Sequence, residues 1–134
     1  MKNKDDVLVD IQHIKKTFPH LDRSEGVVLQ RLSFKIYKHE IVAILGRSGC
    51  GKSTLLRTLS GLTRPTSGAV YFRGQEVLNP LPGMGMVFQN FALFPWLTVL
   101  QNVELGLIAK GISREKRRER ALKSIDIVGL DGFE

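Results

Sequence analysis

Nine consecutive residues, Gly46, Arg47, Ser48, Gly49, Cys50, Gly51, Lys52, Ser53 and Thr54, carry chemistry that the rest of the sequence must position. Gly46, Gly51, Lys52 and Ser53 meet the pattern G-x-x-x-x-G-K-[ST]. A chain of phosphates needs many hydrogen-bond donors in a small volume. Backbone N–H groups of a tight loop supply them only where no Cβ blocks the approach, hence Gly46, Gly49 and Gly51. A helix starting near Lys52 leaves its first N–H groups free and turns its positive end toward the anion. Lys52 can then reach the outer phosphates, the Ser53 hydroxyl is placed to ligate Mg²⁺, and Thr54 can donate one more hydroxyl.

The elements that hold this loop are legible on both sides of it. Ile41, Val42, Ala43, Ile44 and Leu45 form an unbroken apolar run that predicts a buried strand. Leu55, Leu56, Leu59 and Leu62 recur at helical spacing, and Gly61 and Pro65 stop that helix. Upstream, residues 7–14 alternate roughly and predict a first strand, followed by Phe18 and the turn signal Pro19. Phe18 is either a core or loop-anchoring residue or a face on which an adenine ring stacks. Residues 20–28 read as a connection. Leu32, Phe34 and Ile36 alternate with Ser33, Lys35 and Tyr37, a strand with one wet face, and Lys38, His39 and Glu40 make a turn. An amphipathic strand before a fully apolar one predicts a small antiparallel sheet beside a buried parallel one.

Further strands are expected at residues 69–72 and 84–88, the second ending at Gln89. Thr98 and Gln101 form a capping box that predicts a helix over residues 99–109. Ser113 is placed to cap a second helix over residues 114–128, with Ala121, Leu122, Ile125 and Val128 as its apolar stripe. Between strand and helix, residues 90–97 gather three aromatics and two leucines around Pro95 with no charge. Pro95 argues against a helix or central strand, and so apolar a loop either packs on the chain's own core or, the reading favoured here, forms a surface for a partner.

The 134 residues are 43% hydrophobic and 25% charged, the composition of one soluble globular domain. No apolar run approaches the roughly 18 residues of a membrane span, and no apolar segment follows the charged N-terminus as in a secretory signal. The single Cys50 cannot form an internal disulfide, which fits a reducing compartment. The net charge of +7 invites a nucleic-acid reading, with cations clustered at residues 114–123. A run of this kind is read as a solvated helix face, so no nucleic acid is expected. His13, His20 and His39 are read as surface residues. Asn3, Lys4 and Asp6 match the guanine-reading N-K-x-D pattern but lie in a charged tail ahead of the phosphate loop, so the match is read as chance.

The phosphate loop, the turn Thr66, Ser67 and Gly68, and the triplet Val87, Phe88 and Gln89 together, at this spacing, resemble the first half of the ATP-binding subunit of an ABC transporter. The segment Pro95, Trp96, Leu97, Thr98 and Val99 is similar to the nitrate/sulfonate/taurine importer group in particular. The resemblance implies an α/β fold: a P-loop NTPase-type parallel sheet flanked by helices, an antiparallel β-subdomain, and the start of a helical subdomain. Residues 1–89 would hold the β-subdomain and phosphate-loop core, and residues 90–134 would begin the helical subdomain. It implies that residues 46–54 hold the phosphates of ATP, that Phe18 stacks on the adenine, and that Ser53 and Gln89 attend Mg²⁺. Gln89 would also contact the attacking water and sense the transmembrane partner. Residues 90–103 would receive the coupling helix of a permease at the cytoplasmic face of the membrane, with a second ATP-binding subunit completing a homodimer.

The family's signature segment, second acidic strand, catalytic glutamate and switch histidine do not occur in these residues. The chain is therefore expected to represent an N-terminal half, to be poorly stable alone with an open flank at residues 41–45, and to hydrolyse ATP negligibly by itself. The alternative is a non-catalytic subunit that binds ATP or docks to a permease without turnover.

Overall fold

The computed structural model describes residues 6–19, 25–90 and 92–133, which divide into two compact units, Met1–Val87 and Phe88–Glu134. In the first unit, β1 (Val7–Pro19), β2 (Glu25–Tyr37), β3 (Ser67–Phe72) and β4 (Gln75–Glu76) form a sheet in the order β2-β1-β3-β4. All three pairings are antiparallel. The β1–β2 hairpin is longer than the sequence pattern predicts, because Thr17 and Phe18 still pair with Val27 and Gly26. Cross-strand pairing carries these residues where local alternation has already faded.

Bulges set which side chains face inward. His13 and Arg31 take left-handed backbone angles, φ +50° and +49°, where the β1–β2 register shifts. The extra residue lets Ile11 and Ile14, three apart, both be buried. With Val9, Leu29, Val70, Phe72 and Val77 they make one core, against which Leu32, Phe34 and Ile36 are half-buried as their alternation predicts. The two-residue β4 follows a turn at Arg73 and Gly74 with φ +51° and +79°, a primed hairpin turn too short to leave a strand pattern.

Helix α1 (Lys52–Leu59) lays Leu55 and Leu59 into this core, while Leu56 and Leu62 stay exposed. Thr58 is buried, its hydroxyl donating to the Thr54 carbonyl at 2.9 Å. Gly61, at φ +76°, ends the helix, and the N–H groups of Leu62 and Thr63 turn back to the Arg57 carbonyl.

Two expected strands are not formed. Residues 41–45 have no strand pairing, Ile41 is 99% and Leu45 91% exposed, and Ile44 alone of the run packs on the core. Residues 84–88 are likewise unpaired, with Val87 97% exposed and Met84 against the core. A strand buried on both faces exists only with neighbours on its edges. Among the described residues nothing pairs with either segment, so the parallel sheet is absent while the antiparallel sheet, whose strands supply one another, is complete.

In the second unit α2 (Val99–Ala109) and α3 (Arg114–Ile127) have nearly the predicted bounds. The capping box is present: Gln101 N–H donates to Thr98 Oγ1 at 3.2 Å, and Thr98 N–H donates to Gln101 Oε1 at 2.9 Å. Ser113 makes no side-chain cap. Leu100 packs on Ala121 and Ile125, and Arg117 Nε lies 3.4 Å from Glu104 Oε2, so the helices run antiparallel. Val128, expected on the stripe, lies just past the helix and is exposed. The loop before α2 is tied down by Asn102. Its amide nitrogen donates to the carbonyls of Phe94, Leu97 and Thr98 at 3.2, 3.1 and 2.9 Å, and its oxygen accepts from Phe94 N–H at 2.9 Å.

Two outcomes follow from these contacts. Gly68 and Gly74 share φ near +80°, but a Cβ on Gly68 would lie 2.4 Å from the His13 carbonyl oxygen, whereas a Cβ on Gly74 meets nothing within 4 Å. Gly74→Ala should cost about 1 kcal/mol in denaturant unfolding, and Gly68→Ala at least about twice that. Asn102→Ala should free the loop bearing the single tryptophan, Trp96, and lower its fluorescence anisotropy while α2 remains helical by circular dichroism.

Candidate functional site

The candidate site is assembled at the N-terminus of α1. Gly51 is the helix N-cap in the left-handed region, φ +81° and ψ +39°, and Gly49 is also left-handed at φ +79°. A Cβ on Gly51 would stand 2.7 Å from both Val28 Cγ1 and the Val28 carbonyl oxygen, so the loop end is pressed onto β2. A Cβ on Gly46 would come 2.6 Å from Cys50 Sγ. Gly51 is thus required both by space, against the Val28 backbone, and by its angle, whereas a side chain at Gly46 would have to turn the Cys50 thiol aside. Between them Cys50 N–H turns back to the Arg47 carbonyl at 3.3 Å.

Lys52 folds across this loop. Its ammonium donates to the Gly46 carbonyl at 3.0 Å and the Arg47 carbonyl at 3.1 Å, closing the loop into a ring with the cation at its rim. No side chain caps α1 and no acidic residue lies in its first turn, so its initial amides and positive end are left for an anion. Ser53 is exposed in that first turn and Thr54 half-buried. Arg47, Ser48 and Cys50 are exposed, Cys50 as a free thiol. This donor set fits a polyphosphate: main-chain N–H groups at an uncapped helix start, an ammonium and hydroxyls on one short loop.

Other residues singled out by sequence are placed separately. Phe18 pairs with Gly26 near the end of β1 and is 41% exposed. Gln89 is exposed and belongs to the unit Phe88–Glu134, whereas residues 46–54 belong to the unit Met1–Val87. Within residues 90–103, Leu93, Phe94 and Trp96 are exposed, with the Phe94 and Trp96 rings 5.3 Å apart; Phe91 lies outside the described residues. No group of three or more His, Cys, Asp or Glu that could hold a metal occurs among the described residues. His13 is exposed with Nδ1 3.1 Å from Ser33 Oγ, His39 is exposed in a turn, and His20 lies outside the described residues. The guanine-reading match at residues 3–6 falls mostly outside them as well. Two residues escaped sequence reading. Asn102 holds the apolar loop and Lys16 stands over Phe18, contacts between positions whose spacing carries no motif.

Comparison with known proteins now places the chain. Residues 29–133 match the family model described as ABC transporter. An uncharacterised ABC transporter ATP-binding protein of Methanocaldococcus jannaschii is 42% identical over 128 residues, covering 96% of this chain and 48% of that protein. A nitrate import ATP-binding protein of Synechocystis is 47% identical over 111 residues, 83% of this chain and 42% of the relative. A bicarbonate transport ATP-binding protein of Synechococcus elongatus is 39% identical over 92% of this chain and 19% of its own length. The chain thus spans about half the length, or less, of these relatives. Among solved structures, a dimeric ATP-binding cassette in a post-hydrolysis state bound to ADP and Pi superposes with a TM-score of 0.81. It is 34% identical over 93% of this chain and 59% of that one. The loop on α1, the cassette fold and the family match together make this chain a member of the ABC transporter family of ATP-binding proteins.

Proposed function

We propose that the chain binds ATP as part of the nucleotide-binding subunit of an ABC importer, of the group that takes up nitrate, bicarbonate, sulfonates, taurine or related small solutes. The observation that carries this reading is the ring closed by Lys52 over the loop that leads into the uncapped N-terminus of α1. Gly46, Arg47, Ser48, Gly49, Cys50, Gly51, Lys52, Ser53 and Thr54 surround the phosphates with N–H, hydroxyl and ammonium donors. The ammonium exchanges its two neutral carbonyl acceptors for anionic phosphate oxygens, adding ion pairing to bonds that its own charge already strengthens. Phe18 offers its ring to the adenine. Mg²⁺ arrives with the nucleotide, where it neutralises phosphate charge. Ser53 would be its protein ligand on the loop, and the family resemblance alone assigns Gln89 a role toward the ion and the attacking water.

Residues 1–89 then act as β-subdomain and phosphate-loop core, and residues 90–134 begin the helical subdomain. The surface at residues 90–103 receives the permease. Its support is that Leu93 and Trp96 stay exposed although Asn102 holds the backbone of their neighbours Phe94 and Leu97. A second ATP-binding subunit pairs with this one, in line with the dimeric cassette it resembles. No helix is long and apolar enough to cross a membrane among the described residues, and the proposed place is the cytoplasmic face, held peripherally by the permease. Coupled hydrolysis and uptake belong to the whole subunit. The second reading, ATP binding or permease docking without turnover, draws on the same exposed loop.

Fluorescent nucleotide titration should show Mg-ATP binding that GTP competes with poorly, and Lys52→Ala should weaken it tenfold or more, the loss expected for hydrogen bonds to a charged group. Unchanged affinity in that variant would refute the assignment. Alkylation of Cys50, whose thiol lies against Gly46, should slow when Mg-ATP fills the loop. Labelling at the same rate with and without nucleotide would count against phosphate binding there.

A further inference from the structure

We infer that Lys16 is a positioning residue for base recognition, holding the Phe18 ring so that one face is free for the purine; this rests on the nucleotide reading above. Lys16 and Phe18 are two apart on β1 and so project from the same face of the sheet. The Lys16 ammonium stands over the Phe18 ring, 4.9 Å from its centroid, within cation–π range. The same ammonium donates to the Arg64 carbonyl at 2.9 Å.

That carbonyl belongs to a turn anchored on several sides. Arg64 Nε donates to the Leu78 carbonyl at 3.0 Å. Thr66 N–H donates to the Lys15 carbonyl at 2.7 Å, and Thr17 N–H donates to Thr66 Oγ1 at 3.0 Å. The turn that follows α1 is therefore laced to the end of β1 on both sides of Lys16. Across the strand pair Phe18 meets Gly26, which has no side chain to cover the ring.

These contacts give Lys16 two effects. It covers one face of a ring on a residue that is 41% exposed, and the opposite face is the one we assign to an aromatic base. It also fixes the ring before a ligand arrives, so stacking does not have to offset the full loss of rotamer freedom. The cation draws π density toward itself, which leaves the far face better matched to an electron-rich purine. Lys16 thus acts on the base through Phe18, and its charge is committed to the ring and the Arg64 carbonyl rather than to phosphate.

The test separates base from phosphate. Calorimetric titrations of the full chain with Mg-ATP and with magnesium tripolyphosphate are compared for wild type, Phe18→Ala, Lys16→Met, Lys16→Arg and the Phe18→Ala, Lys16→Met double variant. Phe18→Ala should weaken Mg-ATP about fivefold and leave tripolyphosphate unchanged. Lys16→Met should weaken Mg-ATP about threefold, leave tripolyphosphate unchanged, and add nothing in the Phe18→Ala background. Lys16→Arg keeps a cation over the ring and should restore the wild-type ratio of the two affinities. Equal losses for both ligands in Lys16→Met, no loss at all, or an additive loss in the double variant would each overturn the inference while a selective Phe18→Ala effect leaves the stacking reading standing. If tripolyphosphate binds wild type as tightly as Mg-ATP and Phe18→Ala changes nothing, the stacking reading itself falls and the inference with it. If neither ligand binds, nucleotide binding fails as a whole.

Discussion

Gly51 turns the backbone left-handed where a Cβ would meet Val28 at 2.7 Å, and α1 begins at the next residue. That single turn fixes where the first free amides of the helix point and where Lys52 can reach. Its position is held from below, because Leu55 and Leu59 anchor α1 in the core made by β1, β2 and β3. The loop is thus placed by packing on the antiparallel sheet, and its own glycines supply the room. Any side chain at Gly51 would have to lift the helix start off β2.

The two kinds of sheet expected here differ in what they need. The antiparallel sheet is made of β1, β2, β3 and β4, each hydrogen-bonded to another strand within the same unit, so it forms from these residues. Residues 41–45 and 84–88 have the composition of strands covered on both faces, yet no described strand lies along them. The chain as a whole is still similar to a solved cassette, with 93% of it covered at a TM-score of 0.81. That likeness holds without the pairing. Ile41, Leu45 and Val87 are left in solvent as a result, and exposed apolar backbone of this kind promotes association with other chains.

Local signals were legible where chemistry is written in adjacent residues. The fixed glycines and lysine revealed the loop, and Thr98 with Gln101 placed the start of α2, because a cap is a contact between neighbours in sequence. The α3 stripe was legible through Ala121 and Ile125 for the same reason. The bulges at His13 and Arg31 were not, since they follow from register between strands. Nor were the hold of Asn102 on the apolar loop and the stand of Lys16 over Phe18, which depend on side-chain reach across a turn or to a distant carbonyl. Apolar composition at residues 41–45 indicated a buried strand that is not formed, because pairing is a property of the neighbours, which composition of the segment does not report.

The central claim, that main-chain amides around Gly46 and Gly51 grip a triphosphate, is tested most directly by following the backbone amide resonances of the chain in nuclear magnetic resonance as Mg-ATP is added. Saturable shifts concentrated at residues 46–54, with the β1, β2 and β3 amides far from the loop unmoved, are the result expected. A spectrum that shows the antiparallel sheet folded while the amides of residues 46–54 stay unmoved at saturating Mg-ATP would contradict it.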